Sequence, residues 1–282
     1  MLVTIDRFTD EVTSPAGYDT TFLSTIDLDP PTRSGLVVLP YTHFTVAIDP
    51  DRRLAASTAV NIDGSGLRDV ERGDDWRLGP RLPAVQQAGP ELYASNDLDR
   101  GHLVRRRDPV WGTATVAEQA NADTFHYTVC APQTATLNQS KTLWLGLEDY
   151  VLEHARQYGQ RLSVFSGCIF AADDPAYRGV ALPRRFFKIA AWTQDSVLAA
   201  TGYILDQTPS LGPVLTRPAR ADAATPPLGP YRTFQVPIED IAAATDLSMH
   251  QLVAADRYAL QPAARLERGR WTELTSYTDI VL

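Results

Sequence analysis

Cysteine is nearly absent: Cys130 and Cys168 are the two in 282 residues, and no Cys-x-x-Cys pair occurs. That excludes a cysteine-built zinc site and a disulfide-stapled scaffold. Two reduced, buried thiols are expected, because lone cysteines mostly pack as small hydrophobes; a single Cys130–Cys168 bridge is the alternative. No run of about 18 apolar residues is present, so no helix is expected to span a membrane. Net positive charge is also missing: 26 Lys and Arg face 34 Asp and Glu, for a net charge of −8. Such a surface does not grip nucleic acid all over, yet a local basic cleft needs only a few placed arginines. The stretch MLVTIDRFTDEVTSP has no basic region leading into an apolar one, so no signal peptide is read and a cytoplasmic location is expected. His43, His126, His154 and His250 form no His-Glu-x-x-His motif and no close pair, and are expected to be structural.

What is present suits one large α+β domain. Hydrophobic residues make up 44% and charged residues 21% of the chain, enough for a sizeable core. Residues 1–40, punctuated by Pro30, Pro31 and Pro40, read as an irregular arm, and residues 41–282 as a single domain. HFTVAID (43–49) and RRLAASTAVNID (52–63), joined at Asp49-Pro50-Asp51, form a hairpin pattern. Residues 64–97 read mostly as loop, and loops of that length in compact domains are usually functional. FHYTVCA (125–131), RLSVFSGCIF (161–170), RRFFKIAAW (184–192) and LAATGYILD (198–206) are strand candidates. Apolar residues recur at three- and four-residue spacing from Lys141 to Tyr158, which predicts an amphipathic helix stopped by Gly159. Six prolines in 208–230 predict a long loop, and residues 236–247 a short helix entry. The tryptophans Trp76, Trp111, Trp144 and Trp192 are expected to be core or loop anchors.

The chemistry concentrates in NDLDRGHLVRRRDPVWG (96–112). A loop is expected to deliver Asp99, Arg100, Gly101 and His102, followed by Arg105, Arg106 and Arg107. Histidine is the natural general base near neutral pH. A preceding glycine lets the backbone bend or approach a phosphate, and arginines are planar, permanently charged donors for phosphate oxygens. These residue types point to a phosphate-ester site. They also admit a plainer reading, a surface ion pair followed by a solvated basic run.

The motif set decides between the two. Asp-Arg-Gly-His should arise by chance in a chain this long only about once in a thousand. It is followed by NADTFHYTVCAPQTATLNQSKTLWLGLEDYV (121–151) and preceded by the 43–63 hairpin and RGDDWRLGPRLP (72–83). In this order the motifs resemble the DNA/RNA non-specific endonuclease family, which includes Serratia-type nucleases and mitochondrial endonuclease G. The similarity runs from about residue 40 to 250.

The resemblance implies a ββα-metal (His-Me finger) fold with a central antiparallel sheet, flanking helices and long loops. It also implies magnesium-dependent, sequence-nonspecific cleavage of DNA and RNA to 5′-phosphate ends, with manganese able to substitute. Residue by residue, His102 matches the base that activates water. Asn138 matches the asparagine that binds magnesium, and Glu148 the acid that holds a metal-bound water. Asp99 and Arg100 match the residues that orient the histidine loop. Arg72, with Arg77 as the other candidate, matches the arginine that stabilises the phosphorane, and Arg105, Arg106 and Arg107 would hold phosphates. A homodimer and an inhibitor or activating partner are further expectations, since an intracellular nonspecific nuclease must be gated.

Two departures stand out. Val129 occupies a place where related sequences usually carry Asn, which implies a slow enzyme or, alternatively, a weakened nuclease-fold protein that binds nucleic acid. Asn138 and Glu148 are ten apart rather than the usual eight. In an unbroken helix that separation spans about 15 Å, so the helix is expected to start near Lys141.

Overall fold

The computed structural model describes residues 16–24, 26–134, 152–153, 155–216, 232–260, 270–275 and 279–280. Its frame is one antiparallel sheet of eight strands: β1 (Val37–Tyr41), β2 (Phe44–Asp49), β3 (Leu54–Asp63), β6 (Arg161–Ile169), β9 (Arg185–Gln194), β10 (Val197–Asp206), β11 (Arg232–Val236) and β12 (Thr272–Glu273), adjacent in that order. A second sheet has two strands, β4 (Leu98–His102) and β5 (Cys130–Thr134), and a third pairs the short β7 (Ala176–Tyr177) with β8 (Val180–Ala181). Helices among the described residues include α1 (Pro90–Tyr93), α2 (Ala114–Asp123), α3 (Thr208–Thr216), α4 (Ile238–Thr245) and α5 (His250–Ala254).

The large sheet is covered on both faces. One face packs Val60, Ile62, Val164 and Phe186 against Leu98, Leu103, Val129, Ala131, Leu152 and Ala155, that is, against the β4–β5 hairpin and the helical residues after it. The other packs Phe165, Phe187, Ile189 and Ile204 against Tyr18, Phe22 and Leu28 and against Ile238, Ile241 and Leu252 of α4 and α5. This is why β3 and β6 read as almost continuously buried rather than alternating, as strands covered on both faces do. Residues 16–36, though irregular, therefore contribute core side chains.

Several local readings change. Asp99–His102 is strand, not loop, because each residue pairs in register with Gln133–Cys130 of β5. The strand expected over 125–131 splits into a helical turn, Tyr127–Val129, followed by β5. Residues 208–216 are helical rather than loop: Asp206 Oδ1 accepts the Thr208 N–H at 2.8 Å, and Pro209 falls in the first turn, where no N–H is needed. Helix α2, capped by Thr113 through Val116 N, is an element the sequence patterning does not predict. Of the helix expected over 141–158, residues 155–158 are helical and Gly159 ends it at φ +60°; residues 141–151 lie outside the described residues. Both cysteines are buried and free.

Candidate active site

His102 closes β4, directly opposite Cys130. Its Nε2 is buried and has no hydrogen-bond partner among the described residues. The ring bonds instead to the backbone carbonyl of Thr124, just past α2. Nδ1–H is therefore the donor, and Nε2 carries the free lone pair that a base needs. The indole of Trp76 lies 5.0 Å from the imidazole at 50°, and Phe125 meets it edge-on at 5.6 Å. Trp76 also contacts Phe125 and Tyr127.

Burial is the main reason the imidazole resists protonation. Together with the fields of Arg72, Arg106 and Arg100, it lowers the His102 pKa from 6.5 to about 3, against an opposing pull from the Thr124 carbonyl. Arg106 is lowered as well, first by burial and then by Arg72, Arg107 and Arg105. These guanidinium groups crowd one another beside the histidine, a local positive field on a chain of net charge −8.

The arginines are held differently. Arg72 is exposed, and no hydrogen bond or ion pair holds it among the described residues. Arg77, the other candidate for the phosphorane role, donates from Nε to His126 Nε2 at 3.1 Å and from a terminal nitrogen to the Ala122 carbonyl at 2.9 Å. Arg77 thus anchors the 72–83 loop to the end of α2, and this sets the place of Trp76. Arg100 lies 3.8 Å from Asp74 and over the Trp76 ring at 5.1 Å. Arg106 donates to Val70 O and Asn121 Oδ1 at 3.0 and 2.9 Å. Arg107 pairs with Asp69 and Glu153, each at 3.3 Å. Asp99 faces Gln133 across the hairpin, and Arg105 is half-buried.

Asn138 and Glu148 lie outside the described residues. Among the described residues, no group of three or more His, Cys, Asp or Glu forms a metal cage. An asparagine amide and a glutamate carboxylate offer oxygen donors of the kind that hard divalent cations take. The orphaned Nε2 of His102 fits the base that such a site requires. Two features of the site were not read from the residues. Trp76, expected as an anchor, packs against the His102 ring itself, and the Thr124 carbonyl is a backbone group that no side-chain motif announces.

Comparisons with known proteins bear on the family and the fold. The DNA/RNA non-specific endonuclease family matches residues 26–256. A protein of Sinorhizobium fredii described as uncharacterized protein y4fB is 40% identical over 243 residues, covering 79% of this chain. The chain spans 35% of that relative's length. The crystal structure of the EndoG/EndoGI complex, titled for the mechanism of EndoG inhibition, includes a chain with a similar fold. The TM-score is 0.56 at 16% identity, over 82% of this chain and 91% of the other.

Proposed function

Because the chain belongs to the DNA/RNA non-specific endonuclease family, we propose that it hydrolyses phosphodiester bonds of both DNA and RNA with His102 as general base. The observation that carries this reading is the buried, unpartnered Nε2 of His102 within a crowd of arginines. Nε2 takes a proton from water as that water attacks phosphorus, and Thr124 holds the ring in the tautomer that accepts it. Arg72, free to reach a phosphate, stabilises the charge that develops on the phosphorane. Arg105, Arg106 and Arg107 contact backbone phosphates rather than base edges, which leaves sequence unread. Magnesium, for which manganese can substitute, would be held by Asn138 with Glu148 nearby; when bound it supplies Lewis-acid stabilisation of the phosphate and leaving oxygen.

The products are ends bearing 5′-phosphate. A cytoplasmic enzyme of this kind needs gating by an inhibitor, an activating partner or self-assembly as a homodimer. The similarity to a chain whose solved complex is titled for inhibition supports the inhibitor.

Plasmid DNA and RNA incubated with the purified protein test this reading. Degradation should require Mg²⁺, stop with EDTA and fall at least 10²-fold in His102→Ala. Full activity in EDTA, or an unimpaired His102→Ala, would sink it. The second reading, a weakened nuclease that mainly binds nucleic acid, draws on Val129, which offers no polar group where relatives carry one. Tight binding without cleavage in the same assay would favour it.

A further inference from the structure

We propose that Gln207 is a positioning residue, whose side-chain amide docks on the outer edge of β5 as a third strand would and so fixes the β4–β5 pair that carries His102. The hairpin is not part of the eight-stranded sheet. Within it, the Leu103 N–H donates to Val129 O at 2.9 Å, so Val129, Ala131 and Gln133 turn their backbone groups toward β4. Alternation then turns the backbone groups of Pro132 and Thr134 to the opposite edge. That edge is buried, and unpaired backbone groups there would be costly.

Gln207 meets both of them. Its Oε1 accepts the Thr134 N–H at 2.9 Å, and its Nε2 donates to Pro132 O at 3.2 Å. One carbonyl and one N–H at peptide-like spacing pair with residues i and i+2 just as a neighbouring strand does. The second Nε2 hydrogen goes to Pro183 O at 2.7 Å, and the Gln207 N–H donates to Arg184 O at 2.9 Å. Gln207 is completely buried, so water does not compete. Ser210 adds a second link, its Oγ 2.9 Å from Thr134 Oγ1 and donating to Gln207 O at 2.9 Å.

The clamp therefore joins the end of β10, in the main sheet, to the end of β5. His102 pairs with Cys130, four residues up that strand, about 13 Å away at strand rise. A small tilt at the clamped end is carried along the hydrogen-bonded β4–β5 pair to the imidazole, and a 1 Å misplacement of a catalytic group can cost about 10²-fold. Gln207 touches no reacting atom; it acts through β5. The argument rests on the reading of His102 as the base.

Gln207→Met keeps the side-chain length and removes all three side-chain hydrogen bonds. The expected result is a fall in kcat of at least tenfold with KM for nucleic acid within twofold, and at least tenfold faster hydrogen exchange at the Thr134 amide. Gln87→Met is the matched control, since Gln87 is a buried amide that also makes three backbone bonds, to Gly79 N, Gly79 O and Leu82 O. It should lose comparable melting temperature and keep its kcat within twofold. Ser210→Ala, the milder variant, should lower kcat in the same direction by less. Equal kcat losses in Gln207→Met and Gln87→Met, or unchanged Thr134 exchange, would overturn the clamp. A wild-type protein with no nuclease activity would instead overturn the reading of His102, and the exchange measurement would still judge the clamp.

Discussion

Gly101 lies directly beneath the side-chain amide of Gln133: a Cβ built on the glycine would overlap Gln133 Cδ and Oε1. Gln133 is 1% exposed and cannot swing into solvent. Gly101 does not adopt a positive φ, so its role is to leave room for a neighbouring side chain rather than to bend the chain. Gly101→Ala should therefore cost about 1–3 kcal/mol, the usual scale of overpacking, and lower kcat by shifting His102. Adding Gln133→Ala to Gly101→Ala should return part of the lost stability. A double-mutant cycle read by denaturant unfolding checks this, and strictly additive losses would mean that the two residues do not press on each other.

The depressed pKa of His102 has consequences for rate and stability. Burial, then the fields of Arg72, Arg106 and Arg100, bring it from 6.5 to about 3, so the protein without substrate holds a neutral imidazole through the mildly acidic range. The acid limb of kcat/KM should lie well below pH 6.5. Bound phosphates offset the arginine fields, so the acid limb of kcat, which reports the complex, should lie at higher pH than that of kcat/KM. A kcat/KM limb at the ordinary imidazole value would contradict the burial of Nε2. For stability, the unfolded chain binds the proton near pH 6.5 and the folded chain only near 3. Stability from this group is full above 6.5 and falls as the pH drops toward 3. His43 and His126 are also lowered, each chiefly by burial, and add in the same direction. Melting temperature should decline on acidification from pH 7 to 4, less steeply in His102→Ala.

How far the sequence could be read depended on which groups make each feature. Runs of apolar, small and β-branched residues bounded by turn residues make β2, β3, β6, β9 and β10 legible, because the sheet buries them and leaves little room for charge. Asp99–His102 was read as loop because its polar residues mask a strand whose partner lies about thirty positions away in the chain. Helix α2 was passed over because its buried residues, Ala117 and Ala120 with Asn121 and Asp123, make no hydrophobic stripe. His102 and its arginines were legible as side chains in a motif. The Thr124 carbonyl, the Gln133 contact with Gly101 and the Gln207 amide were not, since each depends on a fold-level neighbour.

Arg72 and Arg77 should separate cleanly. Arg72 is exposed and supplies the largest arginine field at His102, whereas Arg77 ties His126 and the Ala122 carbonyl together. Arg72→Ala should lower kcat about 10²–10³-fold, the scale for losing one donor at a developing charge, with little change in melting temperature. Arg77→Ala should lower the melting temperature and affect kcat less. The reverse pattern in parallel kinetic and thermal measurements would exchange their roles.

Val129 gives the last prediction, because its packing bears on whether the asparagine that the family resemblance leads one to expect there would help or harm. A polar residue there would help only if the position opened onto the site. Val129 is instead 0% exposed and sits in the apolar cluster with Leu103, Ala131 and Val104, while its carbonyl accepts the Leu103 N–H at 2.9 Å. Its side chain is part of what holds the hairpin against the main sheet. Val129→Asn would bury an amide among hydrocarbon, at about 1–3 kcal/mol for the unpaired polar group on the scale of protein mutants. The variant should therefore melt lower and turn over no faster than the wild type. Both quantities are needed, because a lower melting temperature alone would not show whether the amide reaches substrate. A faster enzyme with unchanged melting temperature would place the position 129 side chain at the reacting phosphate and require the apolar packing around Val129 to be redrawn.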